Sequence, residues 1–272
     1  MVAGAVVLAL GGCASSGDGE DPAGAVTASA GSTSHEYRPG LAAFPHVPEG
    51  VTTAPVVVMV PGGSWETADP TGLAPLADAL AAQGVLAVPV VVRAAADDVV
   101  YPTPVEDVLC ALADAAATAS AEGIEPDHLV VLGHSSGAHL AALAALDADG
   151  LSPDCEDPVV APDALVGLAG PYDIREFSDA ASALLEPDAD PAAWAKANPV
   201  LLAAQRPELP VLLLHGADDD VVPPDFSTDF AAALRGGGHP TTLTIVPDED
   251  HDGIYTARVA AGPVASWMAA LP

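Results

Sequence analysis

At 272 residues, half of them hydrophobic, the chain can bury a large core and suits one large α/β domain or two small ones. Only 4% of the residues are aromatic, so that core has to be built from Val, Leu and Ala. Thirty-eight Asp and Glu against seven Lys and Arg give a formal charge of −31. A surface of that sign repels phosphate backbones and anionic headgroups, which argues against nucleic-acid partners.

Residues 1–10 are nearly unbroken Val, Ala and Leu, followed by Leu10-Gly11-Gly12-Cys13. The run is too short to span a bilayer and has the length of a signal-peptide apolar region. Leu-Gly-Gly-Cys resembles a bacterial lipobox. The expectation is a signal peptide over 1–12 with the lipobox at 10–13 and Cys13 as the lipidated residue. The protein would then be exported to a bacterial cell envelope and held on the outer face of the membrane by that lipid alone. No Lys or Arg precedes the apolar run, so an ordinary hydrophobic N-terminus is the competing reading. Residues 13–34 are Gly, Ser, Ala, Asp and Thr without an apolar period and read as a flexible tether. The folded domain is expected over 35–272.

Within it, 35–47 offers two weak strands broken by Pro39 and Pro45, and Val56-Val57-Val58-Met59-Val60 reads as a strand buried on both faces. That strand runs into Pro61-Gly62-Gly63-Ser64-Trp65, where glycines let backbone N–H groups turn toward a ligand. A helix over 71–83 ends at Gly84, and 85–92 is the next strand. Thr103-Pro104-Val105-Glu106 has capping-box spacing, and Val105, Val108, Leu109 and Leu112 form the apolar stripe of a helix. After the stretch around Ser135, strands are expected over 164–169, 210–214 and 241–246, and helices over 225–234 and 254–270. Strands alternating with helices indicate a mostly parallel sheet covered on both faces. Between 173 and 209 a Pro-rich insertion with a short helix at 192–197 follows a strand's carboxyl end and reads as a small lid. Cys110 and Cys155 can form one disulfide or stand as two unrelated thiols.

The stretch that carries chemistry is Gly133-His134-Ser135-Ser136-Gly137, placed between an apolar strand and an Ala/Leu helix. Two glycines around a strained Ser let strand and helix pass closely and lift the hydroxyl above the sheet. This is the nucleophile elbow of the α/β-hydrolase superfamily, which the chain resembles from about residue 37 to 271. That fold places an acid and then a His beyond later strands. After the strand at 210–214, the loop Ala217-Asp218-Asp219-Asp220 offers three adjacent carboxylates. The frame His215-Gly216-x-x-Asp219-x-x-Val222-Pro223 resembles that of many hydrolases of this fold and selects Asp219, with Asp218 second. Of eight His, only His251 lies between the last strand and the final helix.

Gly62-Gly63-Ser64-Trp65, Gly133-His134-Ser135-Ser136-Gly137-Ala138-His139 and Gly170-Pro171-Tyr172-Asp173 are similar to segments of kynurenine formamidases and related carboxylesterases. Pro61 stands where that group usually has His. The resemblance implies hydrolysis of a small-molecule ester or amide, without metal or organic cofactor. Ser135 would be the nucleophile, His251 the base and Asp219 the acid behind it. N–H groups of Gly62, Gly63 and Ser136 would hold the oxyanion. Small or carbohydrate-linked acyl esters are favoured over arylformamides; the rival from another class is a surface binding protein on a hydrolase scaffold.

Overall fold

The computed structural model describes Met1 and residues 34–272. The lipobox at 10–13 with Cys13, and nearly all of the expected signal peptide and tether, lie outside the described residues. The two weak strands form an antiparallel hairpin, β1 (His35–Arg38) and β2 (Leu41–Ala43). Six strands then make one parallel sheet: β3 (Thr53–Val60), β4 (Leu86–Pro89), β5 (Glu125–His134), β6 (Ala164–Leu168), β7 (Val211–Gly216) and β8 (Thr241–Val246). Their order in space is β4-β3-β5-β6-β7-β8.

The continuous apolar runs do what a doubly covered strand requires. Val56, Val58 and Val60 enter one core while Val57 and Met59 enter the other, and β5 divides Leu129 and Val131 from Val130 and Leu132 in the same way. The first core is closed by α2 (Thr103–Ala121), α3 (Ser136–Leu146) and α7 (Asp225–Gly237), the second by α1 (Ala74–Ala81) and α8 (Ala257–Met268). The stripe Val105, Val108, Leu109 and Leu112 is fully buried; truncating one such Leu to Ala typically costs about 2–5 kcal/mol. Among the described residues no helix is long and apolar enough to cross a membrane.

Two local expectations are corrected. The strand expected over 85–92 stops at Pro89, because the chain then leaves the parallel ladder for the hairpin: Val91 N–H donates to Ala42 O at 2.9 Å, and Val90 bridges Ala43. The capping box at Thr103 does not form. Thr103 already lies inside α2, and a turn in which Val105 N–H donates to Pro102 O at 2.9 Å starts the helix.

Asp107 of α2 is fully buried and is gripped by Arg38 at 3.0 Å and Arg93 at 2.7 Å. One turn on, Cys110 is joined to Cys155 in a disulfide, so α2 ties together the hairpin, the loop after β4 and the loop after α3. The other four arginines are engaged as well. Arg175 pairs with Asp173 and Arg258 with Glu249, Arg206 donates to the carbonyls of Ala145 and Pro162, and Arg235 to that of Thr241.

The 173–209 insertion carries three short helices, α4 (Ser178–Ala181), α5 (Pro191–Lys196) and α6 (Pro199–Leu202). Asn198, between α5 and α6, ties the middle of the insertion back to its start: its Nδ2 donates to Asp173 Oδ1 at 2.8 Å. Leu184, Ala197 and Ala203 join the core on the α2–α3–α7 side.

Candidate active site

The sheet order changes direction between β3 and β5, since β4 lies on one side of β3 and every later strand on the other. At such a switch point the chain segments leaving the two central strands diverge and open a crevice at their carboxyl ends. The segments here are Pro61-Gly62-Gly63-Ser64-Trp65 and the turn at Ser135. Between them lies a cavity of about 280 Å³ whose lining includes Pro61, Gly62, Gly63, Ser64, Ser135 and His251, together with Asp69, Leu73, Val221, Asp252 and Tyr255.

Ser135 has φ 54° and ψ −126°, a backbone state that costs a non-glycine residue about 1–3 kcal/mol. Its surroundings force it. A Cβ on Gly133 would sit 2.2 Å from Gly137 O, and one on Gly137 would sit 2.3 Å from Pro61 O, so strand, helix and neighbouring turn are in backbone contact. Ser136 opens α3, and the N–H groups of a helix's first turn have no carbonyl of their own helix to bind. Gly62 approaches Ser135 so closely that a Cβ there would lie 3.0 Å from the Ser135 Cβ.

The turn after β3 is strained as well: Gly63, Ser64 and Trp65 have φ of 145°, 56° and 58°. Trp65 anchors it. The indole is buried, and its Nε1–H donates to His139 Nδ1 at 3.3 Å, while His139 Nε2–H donates to Ala197 O at 2.8 Å. Burial pushes His139 down to about 4, so the ring is neutral at pH 7 and its two nitrogens take fixed roles.

The three side chains named from the sequence meet in a hydrogen-bonded line. His251 Nε2 lies 2.9 Å from Ser135 Oγ, and His251 Nδ1 lies 2.7 Å from Asp219 Oδ2. A carboxylate only accepts, so Nδ1 carries the proton; the bare Nε2 accepts the serine O–H. Asp219 Oδ1 accepts the N–H groups of Val221 at 3.0 Å and Val222 at 2.8 Å. Burial acts to raise the Asp219 carboxyl, but donors from His215, His251 and Val222 outweigh it and hold the group well below the usual carboxylate range. Asp218 and Asp220 are exposed, whereas Asp219 is buried. The loop bearing Asp219 rests on the one bearing His251: Asp218 N–H donates to Glu249 O at 2.9 Å, and a Cβ on Gly216 would meet that carbonyl at 2.3 Å.

Sequence reasoning passed over two further histidines here. His134 Nε2–H donates to the His251 carbonyl at 2.9 Å, and its ring lies 4.8 Å from that of His251 and 4.3 Å from that of Tyr255. Burial, aided by neighbouring His251, pushes His134 down to about 3. His215 touches Asp219 from behind. Among the described residues none of 173–209 lines the cavity; the insertion packs Leu184, Ala197 and Ala203 into the core on the α2–α3–α7 side, and Trp194 packs against that core.

The chain is 31% identical over 231 residues to the probable carboxylic ester hydrolase LipM of Mycobacterium tuberculosis and 32% identical over 198 residues to esterase LipC of the same organism. These matches cover 78% and 67% of this chain but only 53% and 48% of the relatives, so the chain spans about half the length of the curated relatives it matches. Among solved structures, an acetyl ester-xyloside bifunctional hydrolase from Caldicellulosiruptor lactoaceticus superposes with a TM-score of 0.70 at 24% identity, covering 84% of this chain and 87% of its own. Esterase Est2 of Thermogutta terrifontis, bound to propionate, gives a TM-score of 0.70 at 20% identity over 88% of this chain and 92% of that one. At these identities the likeness is one of fold, and with the parallel sheet it makes this an α/β-hydrolase fold. The BD-FAE family matches residues 45–234, from the end of the hairpin into α7, a stretch that holds Ser135 and Asp219; the chain belongs to the BD-FAE family.

Proposed function

We propose that the protein is a serine carboxylesterase acting on small or carbohydrate-linked acyl esters. The observation that carries this reading is the line Ser135–His251–Asp219, whose first two members line the cavity at the β3/β5 crevice. Ser135 Oγ attacks the acyl carbon while its proton passes to His251 Nε2. Asp219 holds the imidazole in the tautomer that can take it. The N–H groups of Gly63 and Ser136, with that of Gly62, face the oxyanion that develops; one such donor is typically worth about 10²–10³ in rate. His251 then gives the proton to the leaving alcohol, water repeats the attack on the acyl-enzyme, and the carboxylic acid departs with Ser135 restored.

A cavity of about 280 Å³ favours short acyl groups, since drug-sized ligands occupy pockets of roughly 300–1,000 Å³. Support also comes from relatives named as esterases and from fold neighbours described as an acetyl ester-xyloside hydrolase, a carbohydrate esterase and a propionate-bound esterase. Soluble protein from residue 14 onward, given p-nitrophenyl esters from acetate to palmitate, should prefer the shortest chains, and Ser135→Ala should abolish the activity. Turnover of N-formylkynurenine but of no ester would move the reading to arylformamide hydrolysis. No turnover of either would favour a binding protein on this scaffold. Export and lipidation at Cys13 belong to the same proposal. The Cys110–Cys155 disulfide supports an oxidising compartment, and the intact mass of envelope-extracted protein tests it: Cys13 must be the first residue and carry acyl mass.

A further inference from the structure

His215 is the residue behind the acid. Its ring is fully buried and makes three polar contacts: Nε2 to Val222 O at 2.8 Å, Nε2 to Asp219 Oδ2 at 3.1 Å, and Nδ1 to Ser227 Oγ at 2.7 Å. Carbonyl and carboxylate oxygens only accept, so Nε2 must carry a proton and share it between them. Nδ1 is then left to accept the hydroxyl proton of Ser227, itself fully buried on α7. Asp219 Oδ2 therefore receives two imidazole N–H groups, from His251 on the substrate side and from His215 on the core side. An apolar residue at 215 would leave that side of a buried carboxylate without a donor.

We propose that His215, its ring fixed by Ser227, is a positioning residue that aims Asp219 Oδ2 at His251 and tempers its basicity. The proposal rests on the reading of Ser135, His251 and Asp219 as the catalytic line. A carboxylate that already accepts one strong donor holds the His251 imidazolium less tightly. Removing the His215 donor makes Asp219 more basic, strengthens its bond to protonated His251 and moves the His251 ionisation to higher pH. The other titratable groups facing this line are His134 from β5, neutral at pH 7, Asp69 on the turn after β3, and Asp252 and Tyr255 beyond His251. None of them contacts His215 by hydrogen bond.

The test is an NMR titration of the His251 ring in wild type, His215→Leu and His215→Gln, with pH–rate profiles on p-nitrophenyl acetate beside it. His215→Leu should raise the His251 midpoint by half a pH unit or more and lower kcat about 10- to 100-fold, the range that partners behind metal-bound histidines carry. KM should stay unchanged. His215→Gln, whose amide N–H reaches the same place, should restore most of both. A merely structural role would lower the yield of folded protein or its melting temperature and leave the midpoint in place. An unmoved midpoint in folded His215→Leu, or a Gln variant no closer to wild type than Leu, overturns the proposal. If His215→Leu does not fold, Ser227→Ala frees the ring and should move the midpoint the same way by a smaller amount; an unmoved midpoint there overturns it equally. Because the titration needs no substrate, a protein that hydrolyses no ester refutes the esterase reading and still decides this one.

Discussion

Among three adjacent carboxylates only one is built into the site. Asp219 is buried and takes two backbone N–H groups and two imidazoles, whereas Asp218 and Asp220 face solvent. Asp219→Asn leaves the shape but lets the imidazole settle in the wrong tautomer, a change that costs about 10⁴ in turnover in a serine protease. Asp218→Asn and Asp220→Asn should stay within a few-fold of wild type, since removing a solvated charge typically changes stability by about 0.5 kcal/mol or less. Steady-state kinetics on one short ester checks all three. Ser135→Ala and His251→Ala should each lose several orders of magnitude, because members of such a line act as a unit. Ser135 was legible because a Gly-flanked Ser between an apolar strand and a small-residue helix has one obvious geometry, and His251 because of where it falls after the last strand. Asp219 was legible only through the spacing of its neighbours. The contacts of His215 and His134 were not legible, since a histidine that hydrogen-bonds a neighbouring loop and one that fills a core look alike in one dimension.

Elements are held in register around the site by glycines that have no room to be anything else. Gly137→Ala would drive a Cβ to 2.3 Å from Pro61 O and 2.4 Å from Val60 O. Both are backbone atoms, so β3 or α3 must move. The expected result is a loss of stability of roughly 1–3 kcal/mol together with a large fall in ester turnover as the Gly62-Gly63 turn shifts. Gly236 near the end of α7 is the control. Beyond its chain neighbours a Cβ there meets nothing within 4 Å, and Gly236→Ala should stabilise by up to about 0.5–1 kcal/mol through helix propensity alone. Chemical denaturation of the two variants side by side distinguishes space from propensity. The same contrast explains what could be read at this scale. Strands buried on both faces leave a continuous apolar run, so β6 and β7 were found within two residues of their true bounds. The polarity and prolines of 173–209 mark an excursion from the sheet, but where an excursion lands is decided by long-range partners such as Asp173 with Asn198, which no local pattern shows.

At the scale of the whole molecule, two buried imidazoles make acid costly. His134 and His139 are held neutral, at about 3 and about 4, below the ordinary value near 6.5. Between those limits the unfolded chain binds more protons than the folded one. Their contribution to stability is therefore flat above about pH 6.5 and falls as pH drops, by at most about 1.4 kcal/mol per pH unit for each ring. Asp219, held low, adds stability that is present above its unfolded value and is lost as pH falls through its folded one. The melting temperature of His139→Gln should gain on that of wild type as pH falls from 7 to 4, because the variant has no ring to keep neutral. Charge also selects at the cavity, where Asp69 and Asp252 lie on the lining with no Lys or Arg. Mono-p-nitrophenyl succinate should show kcat/KM about tenfold or more below p-nitrophenyl acetate at low salt. The gap should narrow with added NaCl or with Asp252→Asn.

The engagement of all six arginines within the fold has a consequence for the solution around it. With Lys196 left as the remaining fixed cation, an exterior of −31 overall must take its balancing positive charge from dissolved ions. Folding compresses those carboxylates and so draws in a denser ionic cloud than the open chain holds. The folded protein is in effect a cation-binding state whose ligand is the background electrolyte. Its unfolding midpoint should climb with NaCl well beyond the concentrations at which a neutral domain of this size has stopped responding.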